Sequence, residues 1–79
     1  MSEAILVRFG SAVRKLRHEQ NISQEQLAYM CCLHRTYISD VELGKRNVSL
    51  ENISKMASAL GISITRLFAE VENSNESIY

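Results

Sequence analysis

Apolar residues recur along the chain at helical spacing rather than in strand alternation. Phe9, Ala12, Val13 and Leu16 fall at i, i+3, i+4 and i+7, continued by Gln20 at i+11, so the apolar members make one stripe. Arg14, Lys15 and His18 lie off that stripe and are expected in solvent. Asn21, which tolerates the left-handed conformation, follows the last turn. A device then repeats. Ile22-Ser23 precedes Gln26 and Leu27: the Ser23 hydroxyl accepts from the Gln26 amide, the Gln26 side chain reaches back, and Ile22 packs on Leu27. This is a capping box with a hydrophobic staple. Val48-Ser49 with Ile53 and Ile62-Ser63 with Leu67 repeat the staple and cap; Leu33-His34 with Ile38 has the same spacing and a poorer cap. Together with stops at Gly44 and Gly61, these starts predict five helices over about residues 5–20, 24–31, 35–43, 50–60 and 64–71. The fourth carries Leu50, Ile53, Met56, Ala57 and Leu60 on one face. The end, NSNESIY from Asn73, lacks periodicity and is expected to fray.

Composition narrows this to an all-α fold. Seventy-nine residues allow one small domain, read as residues 1–72 with a tail over 73–79. Proline is absent, Gly occurs three times, and 46% apolar with 23% charged residues suits a globular chain. No apolar run approaches the ~20 residues needed to span a bilayer, and no secretory signal is visible. Cys31 and Cys32 are adjacent, where a bridge is strained. They are read as reduced cytoplasmic thiols, one in the core and one in a turn, with redox sensing the alternative. His18 and His34 have no partners at ligand spacing, so neither metal nor cofactor is expected.

Net charge is zero, which argues mildly against nucleic acid, but its distribution argues the other way. Residues 1–47 hold seven basic side chains against five acidic ones, and residues 48–79 hold two against four. The positive charge therefore accompanies the stretch from Ser23 to Gly44, where only Cys32 to His34 separate two short helices. So short a connection forces a sharp angle. Ala28 lets the third helix cross close to the second, and Leu33, Ile38 and Val41 seal the inner face. Arg35, Thr36, Ser39 and Asp40 then remain outward on the third helix.

Those types suit groove reading in double-stranded DNA. Arg35 can donate two hydrogen bonds to guanine, and Thr36 and Ser39 can bond a base edge or a phosphate. Asp40 would repel phosphates unless it accepts from cytosine or orients a basic group. Gln24, at a helix start, can hold a phosphate, and Lys45, Arg46 and Asn47 can grip the backbone alongside. Tyr37 either covers the helix junction or reaches a phosphate or sugar.

The segment from Ser23 to Phe68 resembles the Cro/C1-type (XRE-like) helix-turn-helix family, with Gln24, Ala28, Leu33, Ile38 and Val41 at that family's characteristic positions. The resemblance implies a compact five-helix, lambda-repressor-like DNA-binding domain with the helix-turn-helix at about residues 24–43. It also implies an ion pair between Arg17 and Glu42 that ties the reading helix to the scaffold. Cys32 departs from the Gly often found in the turn. Within the family, the run HRTYISDVELGKRNVSLENI is similar to the controller proteins of restriction–modification systems, small dimeric regulators of bacteria and phages that bind operators near their own gene. That similarity implies DNA contacts from Arg35, Thr36, Tyr37, Ser39, Arg46 and Asn47. Some activators of this kind touch RNA polymerase through acidic residues, for which Glu25 is the candidate.

Ile62, Ile64, Leu67, Phe68 and Val71 offer more apolar surface than one helix of so small a core needs, which predicts a homodimer reading a pseudo-palindromic operator. The expected function is therefore a sequence-specific transcriptional regulator. An antitoxin that also binds a toxin protein is the alternative, and a toxin gene or a methyltransferase gene alongside would separate the two. No catalytic pairing or Gly-rich phosphate loop suggests an enzyme.

Overall fold

The computed structural model describes residues 3–77, with side chains over residues 4–73. Its described residues form five helices and no strand: α1 (Glu3–Glu19), α2 (Gln24–Cys31), α3 (Arg35–Glu42), α4 (Leu50–Ala59) and α5 (Ile64–Ser77). Helix α5 runs past its expected end at 71, because nothing after Val71 breaks a helix: the run ENSNES holds neither Gly nor Pro. Of the tail expected to fray, residues 78 and 79 lie outside the described residues.

The helix starts follow the caps. Ser23 Oγ accepts from the Gln26 amide at 3.0 Å while Gln26 Oε1 accepts from the Ser23 amide at 2.7 Å, completing the capping box. Ser49 accepts from the Asn52 amide at 3.1 Å, and Ser63 from the Arg66 amide at 3.0 Å. His34 caps α3 with its backbone alone.

The helix ends share one geometry. Asn21, Cys32, Gly44 and Gly61 all adopt positive φ, between 58° and 76°. After each, the next amide donates back to a carbonyl five residues earlier: Ile22 to Arg17, Leu33 to Ala28, Lys45 to Asp40 and Ile62 to Ala57. This Schellman closure satisfies carbonyls that the helix leaves open. Asn21-Ile22-Ser23, Cys32-Leu33-His34 and Gly61-Ile62-Ser63 are thus one connector used three times: a left-handed residue, an apolar residue and a cap. Ile22, Leu33 and Ile62 pack against the core, so the same side chain closes one helix and staples the next.

The core joins all five helices. Val13, Leu27, Ile38, Val41, Met56, Leu60, Leu67 and Val71 are fully buried, and Phe9 packs on Phe68 with ring centroids 5.7 Å apart. Helix α1 lies against α3 and α5, and α2 against α3 and α4. Gln20, the polar end of the α1 stripe, donates to the Leu60 carbonyl at 2.6 Å and so satisfies the end of α4. Gly10 sets the α1–α3 crossing: a Cβ built there would meet the Val41 carbonyl oxygen and lie 2.8 Å from that of Glu42. Two helix backbones approach this closely only where no side chain intervenes.

Candidate nucleic-acid interface

Helix α3 packs against α2 across the three-residue connection Cys32 to His34. Its inner face is Ile38, Val41 and Glu42, all buried. Arg35 and Thr36 are exposed at its first turn, and Ser39 and Asp40 are half-buried on the same side. Leu43, just past the helix, is an exposed apolar residue among them.

One ion pair fixes α3 to the scaffold. Arg17 Nε lies 2.7 Å from Glu42 Oε2, and Arg17 Nη2 donates to Glu42 Oε1 at 3.0 Å. Arg17 Nη1 also donates to the Ile22 carbonyl at 2.9 Å. Both residues are only 8% exposed, so this is a planar, two-bond pair shielded from water. The bond to Glu42 holds the Arg17 guanidinium's pKa above its ordinary value. Gln24, expected at a phosphate, donates its amide to Glu42 Oε1 at 3.0 Å, so it also positions α3.

A second cluster borders the other flank of α3. Asn52 Nδ2 donates to the Tyr37 hydroxyl at 3.1 Å. The Arg46 guanidinium lies over the Tyr37 ring, 4.9 Å from its centroid, and its Nε is 3.6 Å from Asp40 Oδ2. Tyr37 therefore covers the junction between α3 and α4 and supports Arg46. Asp40, awkward for DNA on charge alone, sits beside a basic group that it can orient. His34, Thr36, Tyr37, Arg46 and Asn52 line a groove of about 440 Å³ here. Lys45 and Asn47 are exposed on the same loop. Sequence reasoning missed Asn52, whose signal was its place three residues after the Ser49 cap.

The stripe expected at a dimer interface divides. Leu67 and Val71 are 0% exposed within the single chain, so neither has surface left for a partner, which corrects that expectation. The reason is packing: α5 lies along α1, and its inward stripe fills the core. Ile62 and Phe68 are half-buried, and Ile64 is exposed. Leu50, which shares the apolar face of α4 in the sequence pattern, is 76% exposed.

The thiols separate as expected. Cys31 is buried, burial pushes its pKa up, and its Sγ lies 3.7 Å from the Lys55 carbonyl oxygen. Cys32 is exposed at the left-handed turn. Among the described residues no three His, Cys, Asp or Glu side chains converge as metal ligands, and no helix is long and apolar enough to cross a membrane.

The helix-turn-helix family model matches residues 13–67. The control protein C.BamHI of Bacillus amyloliquefaciens is 56% identical over 63 residues, covering 78% of this chain and 78% of that protein. The control protein C.MunI of Mycoplasma sp is 48% identical over 69 residues, covering 86% of this chain and 93% of that one. Among solved structures, the restriction-modification controller protein C.AhdI from Aeromonas hydrophila superposes with a TM-score of 0.77 at 50% identity, over 78% of this chain and 94% of that chain.

Proposed function

The chain belongs to the helix-turn-helix family, and on that premise we propose that it is a sequence-specific DNA-binding transcriptional regulator, the controller protein of a restriction–modification system. It acts as a dimer on operators near its own gene, in the cytoplasm of a bacterium or phage host. The observation that carries this reading is α3 itself: a short helix locked from behind by Arg17 and Glu42, with Arg35, Thr36, Ser39 and Asp40 on its outer side.

In this reading α3 lies in the major groove. Arg35 donates to guanine, Thr36 and Ser39 read base edges, and Asp40 holds Arg46 in place or accepts from cytosine. Arg46, Lys45 and Asn47 bind phosphates, and Tyr37 supports Arg46 from beneath. Gln24 acts at the backbone through its remaining N–H and by holding Glu42. The dimer contact comes from Ile64 and the outer sides of Ile62 and Phe68, with exposed Leu50 a further candidate. Glu25, exposed at the start of α2, is the residue proposed to meet RNA polymerase. No catalytic role is assigned.

The test is a footprint on the DNA upstream of the gene together with the sedimentation mass. A regulator of this kind protects two half-sites whose centres lie about one helical turn, ~34–36 Å, apart, and sediments as a dimer. No protection, with a toxin gene alongside, would replace this reading with the antitoxin one.

A further inference from the structure

A helix is ~10–12 Å wide with its side chains, and the major groove is ~12 Å wide. A helix seated there meets a phosphate wall on each side. Of the assigned backbone contacts, Tyr37 and Arg46 lie together on one flank of α3. The opposite flank is a second groove, about 240 Å³, formed where the end of α1, the start of α2 and the outer side of α3 meet.

The lining of that groove has the chemistry of an anion site. Arg14 and His18, one helical turn apart on α1, are exposed and face it together with Gln24 and Ser39. Its one carboxylate, Glu42, is already occupied by two bonds from Arg17 and one from Gln24. Neither Arg14 nor His18 pairs with a carboxylate among the described residues, as is also true of Arg35 and Lys45. Arg14, an exposed cation with no carboxylate partner among the described residues, is available to a phosphate beside the reading helix at little desolvation cost. The His18 ring nitrogens are available next to it as hydrogen-bonding groups.

We infer that Arg14 and His18 form a second phosphate-binding wall, so that α3 is clamped between one DNA strand at Arg46 and the other at Arg14. The inference rests on the DNA-binding reading. It adds two residues that neither the groove-reading pattern nor the dimer geometry requires.

Arg14→Ala and the double variant with His18→Ala test it, with Arg66→Gln as a charge-matched control on α5. Affinity is measured for a duplex carrying the upstream sequence and for a scrambled duplex, across salt. The expected result is a loss of roughly 3- to 10-fold on both duplexes alike and a salt slope smaller by ~0.9 for each phosphate lost. Arg66→Gln is expected to leave slope and affinity unchanged. If the wild type shows a steep slope and Arg14→Ala keeps it, the second wall is overturned while DNA binding stands. If the wild type binds neither duplex with a salt slope, both readings fall.

Discussion

Arg17 and Glu42 meet through two parallel hydrogen bonds, 2.7 and 3.0 Å long, across twenty-five residues of sequence, with almost no water access. This pair joins α1 to the end of the reading helix. Removing one partner leaves the other buried charge without its counter-charge, at a cost of ~3–5 kcal/mol. Only a neutral hydrogen bond then remains, from Gln24 to Glu42 or from Arg17 to the Ile22 carbonyl. A small domain has only ~5–15 kcal/mol in total. Arg17→Met and Glu42→Leu are each expected to lower the urea midpoint sharply, and the double variant to recover much of the loss. A shift under ~1 kcal/mol in both single variants would show that the pair is not buried in solution.

The Gly10 crossing gives a prediction of opposite sign to helix propensity. Alanine in a helix interior normally gains up to ~1 kcal/mol over Gly. Here the new methyl meets two backbone carbonyls that cannot rotate away, and overpacking of this kind costs ~1–3 kcal/mol. Gly10→Ala is expected to destabilise in urea. A stabilised Gly10→Ala variant would mean that α1 and α3 cross less closely than described.

Much of this was legible in the sequence, and the limits of legibility have physical causes. Caps and staples are local, so Ser23, Ser49 and Ser63 marked their helices and the starts fell where expected. The Arg17–Glu42 pair came from family resemblance rather than spacing, because nothing local connects residues that far apart. Leu67 and Val71 were placed at an interface because a sequence gives the apolar stripe and not its partner; the partner is α1 of the same chain. Gly10 and Asn52 were missed for the same reason: each matters through an element remote in sequence. Which outward residues bind DNA rests on the family and on the placement of α3.

Cys32 holds φ 59° without being glycine, a conformation that costs an L-residue ~1–2 kcal/mol. Cys32→Gly removes that strain but gains ~0.4–1 kcal/mol of entropy in the unfolded chain. The net expectation is a stabilisation of between zero and ~1.6 kcal/mol by thermal or urea unfolding. Clear destabilisation would show that the Cys32 side chain makes a contact worth more than the strain.

Acid sensitivity is expected to trace to Glu70. Its carboxylate accepts from Lys15 Nζ at 2.7 Å and from Arg66 Nη1 at 3.4 Å. The Lys15 hydrogen bond is the main cause that holds its pKa below the ordinary value. A carboxylate depressed in the folded state stabilises above its unfolded pKa, ~4.3, and loses that contribution as pH falls through the lower folded value. Glu70→Gln is expected to flatten stability against pH below about 4.5 relative to the parent chain. Parallel acid limbs in the two proteins would assign the sensitivity elsewhere.

The dimer contact is expected to be sensitive at exposed rather than buried apolar residues. Ile64→Glu and Leu50→Glu place a charge where the single chain has open surface. Each is expected to keep the helical circular-dichroism signal and to shift sedimentation toward the monomer. A folded dimer surviving both changes would move the interface to another face.

The most direct test of the account is a binding titration across salt, comparing DNA from upstream of the gene with a scrambled duplex, for the parent chain and for Arg35→Ala. The parent is expected to bind tightly and selectively with a steep negative salt slope. Arg35→Ala is expected to lose ~1–3 kcal/mol of selectivity while keeping most of the slope. Weak binding of both duplexes alike at every salt would contradict this, and α3 would then be a scaffold for a protein partner instead of a reader of DNA.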